Sequence, residues 1–563
     1  MSDIKQLCQN CKQEFIIDEQ DQAFYEKMQV PAPTFCPECR LIRRFCWRNE
    51  RHLYKRTCNL CGNDIISIFA PEKDYKVYCQ PDWWSDKWDP MEYARDYDFS
   101  KPFFEQYARL MKEVPWVTLL NDYATLVNSE YVNMAGHLKN CYLISHADHN
   151  EDCAYGSGIK YSKDCYDTTM MQHSERCYGS LNIMKGHGNF YSVDCENSSN
   201  VYFSKNLVGC NDCFGCVNLR HKSYYIFNEP YSKEEYVKKL EEFNIGSHKN
   251  VLAFKEKAQT FWRQFPSKYY HGSHNQDVSG DYIYESKDVY YSYEMIGTEN
   301  CKYCQNLSTK PSEDCYDYTE WGDKASLVYE SLQVGMGINN IKFSDVIYTN
   351  SHDVEYSISI SDCQNIFGCF GLRHKKYYIL NKQYLKDEYE ALRVKIIQQM
   401  NEMPYIDVKG RVYRYGEFFP FELSPFAYNE AVQEFFPITP EQALEKGYSW
   451  RDEDKKSYQP SSYVIPDDID HVQDDILQAI LACKKCQKNY RVIKPELAFY
   501  REAQIPVPRL CPDCRHFERI RFRSPMKTLL RNCSNCNKEI QSNITPEISP
   551  LIYCQSCYLS EVV

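Results

Sequence analysis

The chain has 563 residues, 43% hydrophobic and 15% aromatic, with 48 tyrosines, 29 cysteines and a formal net charge of −12. That length exceeds one ordinary domain, so three to five modules are expected. The acidic balance excludes a general polyanion binder. An odd cysteine count, mostly in CxxC pairs, excludes a secreted disulfide framework and points to thiolates held by metal in a reducing compartment. No run approaches the ~18 apolar residues of a membrane span, and no apolar signal core follows Met1. A cytoplasmic protein with no membrane partner is expected.

The first cysteine set is Cys8, Cys11, Cys36, Cys39, Cys58, Cys61 and Cys79. The last is Cys483, Cys486, Cys511, Cys514, Cys533, Cys536, Cys554 and Cys557. Gaps of 24, 18 and 17 residues separate the knuckles in both sets. One module is therefore duplicated and placed at the two ends. A CxxC turn puts two sulfurs on one side of a knuckle, and two knuckles make the tetrahedral cage that zinc favours. So small a module lacks a sufficient apolar core, and metal supplies folding energy. Sequential pairing of knuckles is expected, with a cross-brace as the alternative. Asp82 stands where the other copy has Cys557. It can complete a site of three thiolates and one carboxylate; the rivals are Cys46, a water or no metal. Three to four zinc ions per chain follow.

Both modules are basic after their second knuckle. Arg40, Arg43, Arg44 and Arg48 lie in the first, and Arg515, Arg519, Arg521 and Arg523 in the second. Residues 483–557 carry 14 Lys and Arg against 6 Asp and Glu. Arginine forks suit phosphates, which gives nucleic acid as a partner. The plainer reading is that these arginines balance anionic cages and pair with acidic neighbours.

The run Cys8-x-x-Cys11, Phe24-Tyr25, Pro33, Cys36-Pro37-x-Cys39-Arg40 resembles bacterial zinc-ribbon domains. The whole layout, with Trp83–Pro90, Tyr415–Phe421 and Gly447–Asp454, is similar to a family of uncharacterised bacterial proteins with such ribbons at both ends and a Cys/Tyr-rich centre. The resemblance implies a full CxxC at the Cys79 knuckle, from which Asp82 departs. Members sometimes carry a CoA-transferase-type name, which no residues here support.

Pro102 to Val114 reads as a helix, with Phe103, Tyr107 and Leu110 at helical spacing. Between Asn140 and Asn228 a unit of about twelve residues repeats. Its slot holds Cys141, Cys153, Cys165, Cys177, Phe190, Val201, Cys213 and Tyr224, in steps of 12, 12, 12, 13, 11, 12 and 11. Twelve residues accommodate a strand of about five and a turn. Two such units would close one coil of a parallel β-solenoid, with Cys inward and the following Tyr outward by strand alternation. The Cys ladder then reads as core rather than metal. Ser232 and Glu235 make a capping box before the next helix.

A second array follows with Val289, Cys301, Cys315, Leu327, Ile341, Val354, Ile366 and Tyr377 in the slot. Its end, Phe367–Asn381, copies Phe214–Asn228 after 153 residues. Cys210, Cys213, Cys216 and His221 could ligate zinc, but Cys213 is Ile366 in the second copy, which argues against a required metal. Segment 405–480 is aromatic and expected to wrap the arrays, with an acidic stretch near Asp467–Asp475 that reads by default as a solvated linker and, more sharply, as docking on the basic ribbons.

The fold expected is mainly β: two tandem parallel β-solenoid-like arrays with short helices, flanked by duplicated zinc-ribbon modules. The divisions are 1–90 (zinc module), 91–139 (helical bridge), 140–245 (first array), 246–276 (linker), 277–400 (second array), 401–480 (wrapping segment) and 481–563 (zinc module). The function expected is a non-enzymatic zinc protein that binds nucleic acid through its ribbons, with exposed tyrosine rows to stack bases. The alternatives are a zinc-stabilised scaffold with protein partners, and a solenoid enzyme acting on carbohydrate. No phosphate loop, nucleophile elbow or HExxH motif supports an enzyme.

Overall fold

The computed structural model describes residues 2–452 and 457–562. The chain is mainly β, with twelve α-helices among the described residues. Glu453 and Asp454 of the 447–454 motif lie outside them.

The N-terminal module opens with an antiparallel hairpin, Ile4–Leu7 with Glu14–Ile17, followed by helices Glu19–Met28 and Pro37–Cys46. Asp18 caps the first helix and Asp21 bonds back to the Asp18 amide, forming a capping box. Cys36 is the N-cap of the second helix and Pro37 its first residue, where a missing N–H costs nothing. A second hairpin, Tyr54–Thr57 with Asp64–Ser67, leads to the short helix Gln80–Trp83. The C-terminal copy repeats this order from Leu481–Ala482 to helix Gln555–Val562. Helix Phe103–Glu113 forms as expected, with Pro102 at its N-cap. The expected linker 246–276 instead contains a helix, His248–Trp262, whose Val251, Ala258 and Trp262 share one buried face.

Strands of the first array pair in parallel with the chain twelve residues on: Ala154 with Tyr142, Thr169 with Leu181, Val201 with Cys213 and Cys213 with Tyr225. One unit, not two, thus separates neighbours. Every third residue from Met134 to Phe227 has positive φ. Four left-handed corners therefore fall in each twelve residues, and Asn, Asp and Gly recur at corners because they tolerate that region best. The side-chain period is three (inward, outward, corner) rather than the alternation of two expected from the sequence. Three residues a side leave a narrow interior, which Cys141, Cys153, Cys165, Cys177, Val201 and Cys213 help to fill. The irregular steps disappear: Phe190 pairs with the tyrosine row, and Asn189 and Tyr225 occupy the slot assigned to Phe190 and Tyr224.

Interior polar groups bond between neighbouring turns of chain. Ser162, Ser180 and Ser192 each accept the amide N–H twelve residues on. The Cys153 thiol donates to the carbonyls of Glu151 and Ser162, and Cys165 repeats this with Lys163 and Ser174. A small donor with a soft apolar body suits such a core. Burial pushes the Cys153, Cys165 and Cys177 thiols well above their usual range. They stay protonated, which fits packing rather than metal ligation.

The second array is less regular. Val289, Cys301 and Cys315 pair in line, as do Ile341, Val354, Ile366 and Tyr378. Tyr378, not Tyr377, fills the last slot, and buried Val328 replaces the partly exposed Leu327.

The end modules dock crosswise. One core joins the N-terminal module to the second array and to Tyr405–Tyr448. Another joins the first array, the helices that follow it and the C-terminal module. The wrapping segment enters the first core through Phe418, Phe419, Phe421 and Phe426, all buried. In its acidic stretch, Asp474 pairs with Arg501 of the C-terminal module at 2.7 Å.

Candidate metal centres and the arginines beside them

Each module brings its cysteines together in sequential pairs, and no cross-brace forms among the described residues. The clusters are Cys8, Cys11, Cys36 and Cys39; Cys58, Cys61, Cys79 and Asp82; Cys483, Cys486, Cys511 and Cys514; and Cys533, Cys536, Cys554 and Cys557. In each, one knuckle comes from a hairpin turn and the other from the first turn of a helix. Sulfurs across the knuckles lie 3.7 Å (Cys11, Cys36), 3.9 Å (Cys61, Cys79), 3.6 Å (Cys486, Cys511) and 3.7 Å (Cys536, Cys554) apart. A zinc with bonds of about 2.3 Å sets tetrahedral sulfurs ~3.8 Å apart, so the cages have the right size. Backbone amides turn inward as well: the N–H of Cys36 donates to Cys8 Sγ at 3.2 Å, and that of Cys554 to Cys533 Sγ at 3.3 Å.

Asp82 sits where the missing sulfur would be. It is buried, with Oδ2 3.4 Å from Cys58 Sγ and 3.2 Å from Cys79 Sγ. Its other oxygen accepts from Lys87 Nζ at 2.7 Å. Lys87 orients the carboxylate, a partner of the kind that fixes ligating oxygens. The other copy has Val562 at this position, so the lysine accompanies the aspartate. Cys46, the rival ligand, is buried at its helix end and belongs to none of the four clusters.

The arginines do not form a phosphate-binding face. Arg40, Arg43, Arg44, Arg48, Arg515 and Arg519 are all buried. Arg40 and Arg44 clamp Asp317 at 2.8 and 2.9 Å. In the other copy Arg515 and Arg519 clamp Asp167, both at 3.0 Å. Arg43 pairs with Glu330 and Glu417, Arg48 with Glu50 and Glu320, and Arg523 with Glu434. Only Arg521 of the eight is widely open, at 50% exposure. Apart from Glu50, these carboxylates sit on segments far away in sequence, so a basic run in the sequence could not show what it faces.

The tyrosine rows are covered as well. Tyr166 and Tyr178 are buried under Phe499 and Tyr500, and Tyr316 stacks on Phe24 with centroids 3.8 Å apart. The rows point away from the array interior, as expected, but into the docked modules rather than into solvent. An open row does exist: His137, His149, Tyr161 and His173 stack at twelve-residue intervals, with centroids 4.1, 4.8 and 4.8 Å apart. Cys210, Cys213 and Cys216 are wholly buried and form no ligand group with His221 among the described residues.

These features define a zinc-binding protein. Residues 2–45 match the family model described as a "probable treble clef domain", which agrees with the hairpin and helix holding Cys8, Cys11, Cys36 and Cys39. The match does not extend to the rest of the chain. No curated protein matches this chain. Among solved structures, one described as an acetyltransferase from Desulfovibrio desulfuricans G20 aligns at 9% identity over 51% of this chain and 85% of its own, with a TM-score of 0.10. That score carries no argument about fold or activity. No described helix is long and apolar enough to cross a membrane.

Proposed function

We propose that the chain is a non-enzymatic, cytoplasmic scaffold in which four structural zinc ions hold two end modules onto two parallel β-solenoids. Each solenoid turn is twelve residues. The observation that carries this reading is the repeated clamp: two arginines of each zinc module close on one array aspartate, in the same geometry at both ends. The zinc sites shape the modules, and the modules seal the tyrosine faces of the arrays. What remains exposed is a rigid body with long surfaces suited to protein partners.

A second reading, nucleic-acid binding, keeps one specific support. A cavity of 620 Å³ between helix His248–Trp262, the first array and the C-terminal module is lined by Lys255, Arg263, Lys484 and Arg521, with Tyr191 and Trp262 among its aromatic walls. Purification without chelator, followed by metal quantitation and by titration with single-stranded RNA and DNA, tests both. The scaffold reading expects four zincs per chain, three after Asp82→Ala, and no salt-dependent binding. Binding that weakens with salt and is lost in Lys484→Gln/Arg521→Gln moves the function to nucleic acid. Metal-free, folded protein overturns the zinc assignment.

A further inference from the structure

Two places in the molecule are equivalent by the internal duplication and differ in content. Arg373 of the second array and Arg220 of the first stand 153 residues apart at matching array ends. The last helix of each module lies over them. Arg373 is stacked against Trp83, Trp84 and Trp88 and donates to the carbonyls of Trp83 and Trp84, both at 3.0 Å. The array residue beneath is Ile358, wholly buried and paired with Phe370. That interface is packed with tryptophan rings around the guanidinium.

At the first array the counterparts of Trp83 and Trp84 are Tyr558 and Leu559, and the counterpart of Ile358 is Lys205. The smaller side chains leave a cavity of 230 Å³ bordered also by Lys268, His271 and Tyr284. Lys205 is 9% exposed. Among the described residues, no hydrogen bond or ion pair engages its ammonium group. Burying a lysine without a partner is costly, and an isoleucine serves in the other copy. Burial lowers its proton affinity, with Asp194 opposing.

Among the described residues, Arg220 and Lys268 of the wall form no ion pair with a carboxylate. Arg220 spends its donors on the Asn206 and Leu219 carbonyls, the Asn206 side chain and the Tyr558 hydroxyl. Lys268 lies 4.2 Å over the Tyr270 ring and donates to the Gly272 carbonyl. Burial pushes Lys268 down to about 8, Asp281 opposes this, and the nearby Arg220 charge adds to it. The wall's aspartate is already engaged: Asp194 accepts from Asn182 at 2.8 Å and pairs with His271 at 3.2 Å. His271 in turn pairs with Asp281 at 3.0 Å. Glu196, partly exposed, holds Asn197. Lys205, Arg220 and Lys268 thus converge on a partly open space below the ~300 Å³ of sites for drug-sized ligands, with Asp194 on the same wall already engaged.

We propose that this cavity binds a small doubly charged oxyanion, a phosphate group or a compact dicarboxylate, with Lys205 as the deciding residue. Ammonium and guanidinium groups recognise both through charge-assisted hydrogen bonds. The cavity borders the helix that carries Cys557, so the site needs the folded C-terminal module, but it does not rest on the scaffold reading.

Isothermal titration of the zinc-loaded full chain with inorganic phosphate, and separately with succinate, tests it. One saturable site per chain is expected for at least one of the two, and which one saturates tells the phosphate source from the carboxylate source. Lys205→Ile, which copies the second array and so keeps the fold, weakens that binding by roughly 10-fold or more, the loss expected for one charged hydrogen bond. Lys205→Gln weakens it similarly, and circular dichroism and zinc content stay unchanged in both. Saturation by neither anion at 10-millimolar order of concentration overturns the proposal. So does equal affinity in the folded Lys205→Ile protein.

Discussion

At the scale of single residues, His271 does the most to tie distant chain together. Its two ring nitrogens meet Asp194 of the first array and Asp281 of the second, and its ring stacks on Tyr282 at 4.5 Å. Burial opposes the charge, yet the two carboxylates raise its pKa to about 10. A raised histidine stabilises the fold fully below its unfolded value of about 6.5, and that stability is lost as pH rises through the folded value. The expected outcome is a denaturant midpoint that falls between pH 6.5 and 10 by more in the wild type than in His271→Gln. At pH 6 the substitution costs ~3 kcal/mol, the order for breaking a buried pair; at pH 10.5 the two proteins converge. Equal pH slopes would remove the charged bridge from the account.

Residue type and spacing made the four side-chain clusters legible, because a thiolate cage needs four donors at short range and CxxC supplies them in pairs. The same logic placed Asp82 in its cluster, though not Lys87, whose pairing depends on the turn after helix Gln80–Trp83 that brings it beside the carboxylate. The arginines were visible and their partners were not. Asp317 and Asp167 each follow a Cys-Tyr pair in a distant array, and nothing local in the sequence connects them to a zinc module. Lys205 was equally hidden, since its surroundings come from the C-terminal module and from residues 267–284, distant in sequence.

At the scale of elements, the corner explains both the repeat and the docking. Asp167 and Asp317 each have φ of 52°, a left-handed corner where Asp is tolerated and where the side chain points away from the interior. The corner therefore presents a carboxylate to whatever covers that face, and the two arginines of a zinc-module helix take it. Sequence reading recovered the twelve-residue unit but assigned it strand alternation, because the period-two rule assumes extended chain. A corner every third residue sets a different period, and the apparent steps of 13 and 11 came from reading Phe190 and Tyr224 into a slot one residue away.

Asp167→Asn and Asp317→Asn keep a residue that accepts the left-handed corner while removing the charge. Each removes the carboxylate shared by two buried guanidinium groups, leaving Arg515 only Glu496 and Arg44 only the more distant Glu330, at an expected cost of about 3–5 kcal/mol in a urea titration. Hydrogen exchange should then localise the loosening: residues 481–562 for Asp167→Asn, and residues 2–90 for Asp317→Asn. Loosening of the opposite module in either protein would contradict the crosswise docking.

At the scale of the whole molecule, the chain order is module, array, array, module, yet each module covers the array farther from it in sequence. The first module reaches the second array through Arg40, Arg43 and Arg44 and through Phe24 on Tyr316. The last reaches the first array through Arg515, Arg519 and Phe499. Folding must therefore bring the chain ends back over its middle, and metal loss at either end should be felt at the opposite array. Removing zinc with a strong chelator is expected to release the cysteine knuckles and unfold the small modules, whose apolar cores are too slight to stand alone. The arrays are closed by backbone ladders and interior Ser and Cys bonds that need no metal, so their far-UV β signal should persist. Their tyrosine faces, however, lose the cover of Phe24, Phe499 and Tyr500. Chelated protein should thus gain amide exchange and tyrosine reactivity at Tyr166, Tyr178 and Tyr316 together, with zinc re-addition restoring protection. If those tyrosines stay shielded after all zinc has left, the metal does not hold the modules in place, and the ion-pair clamps alone do.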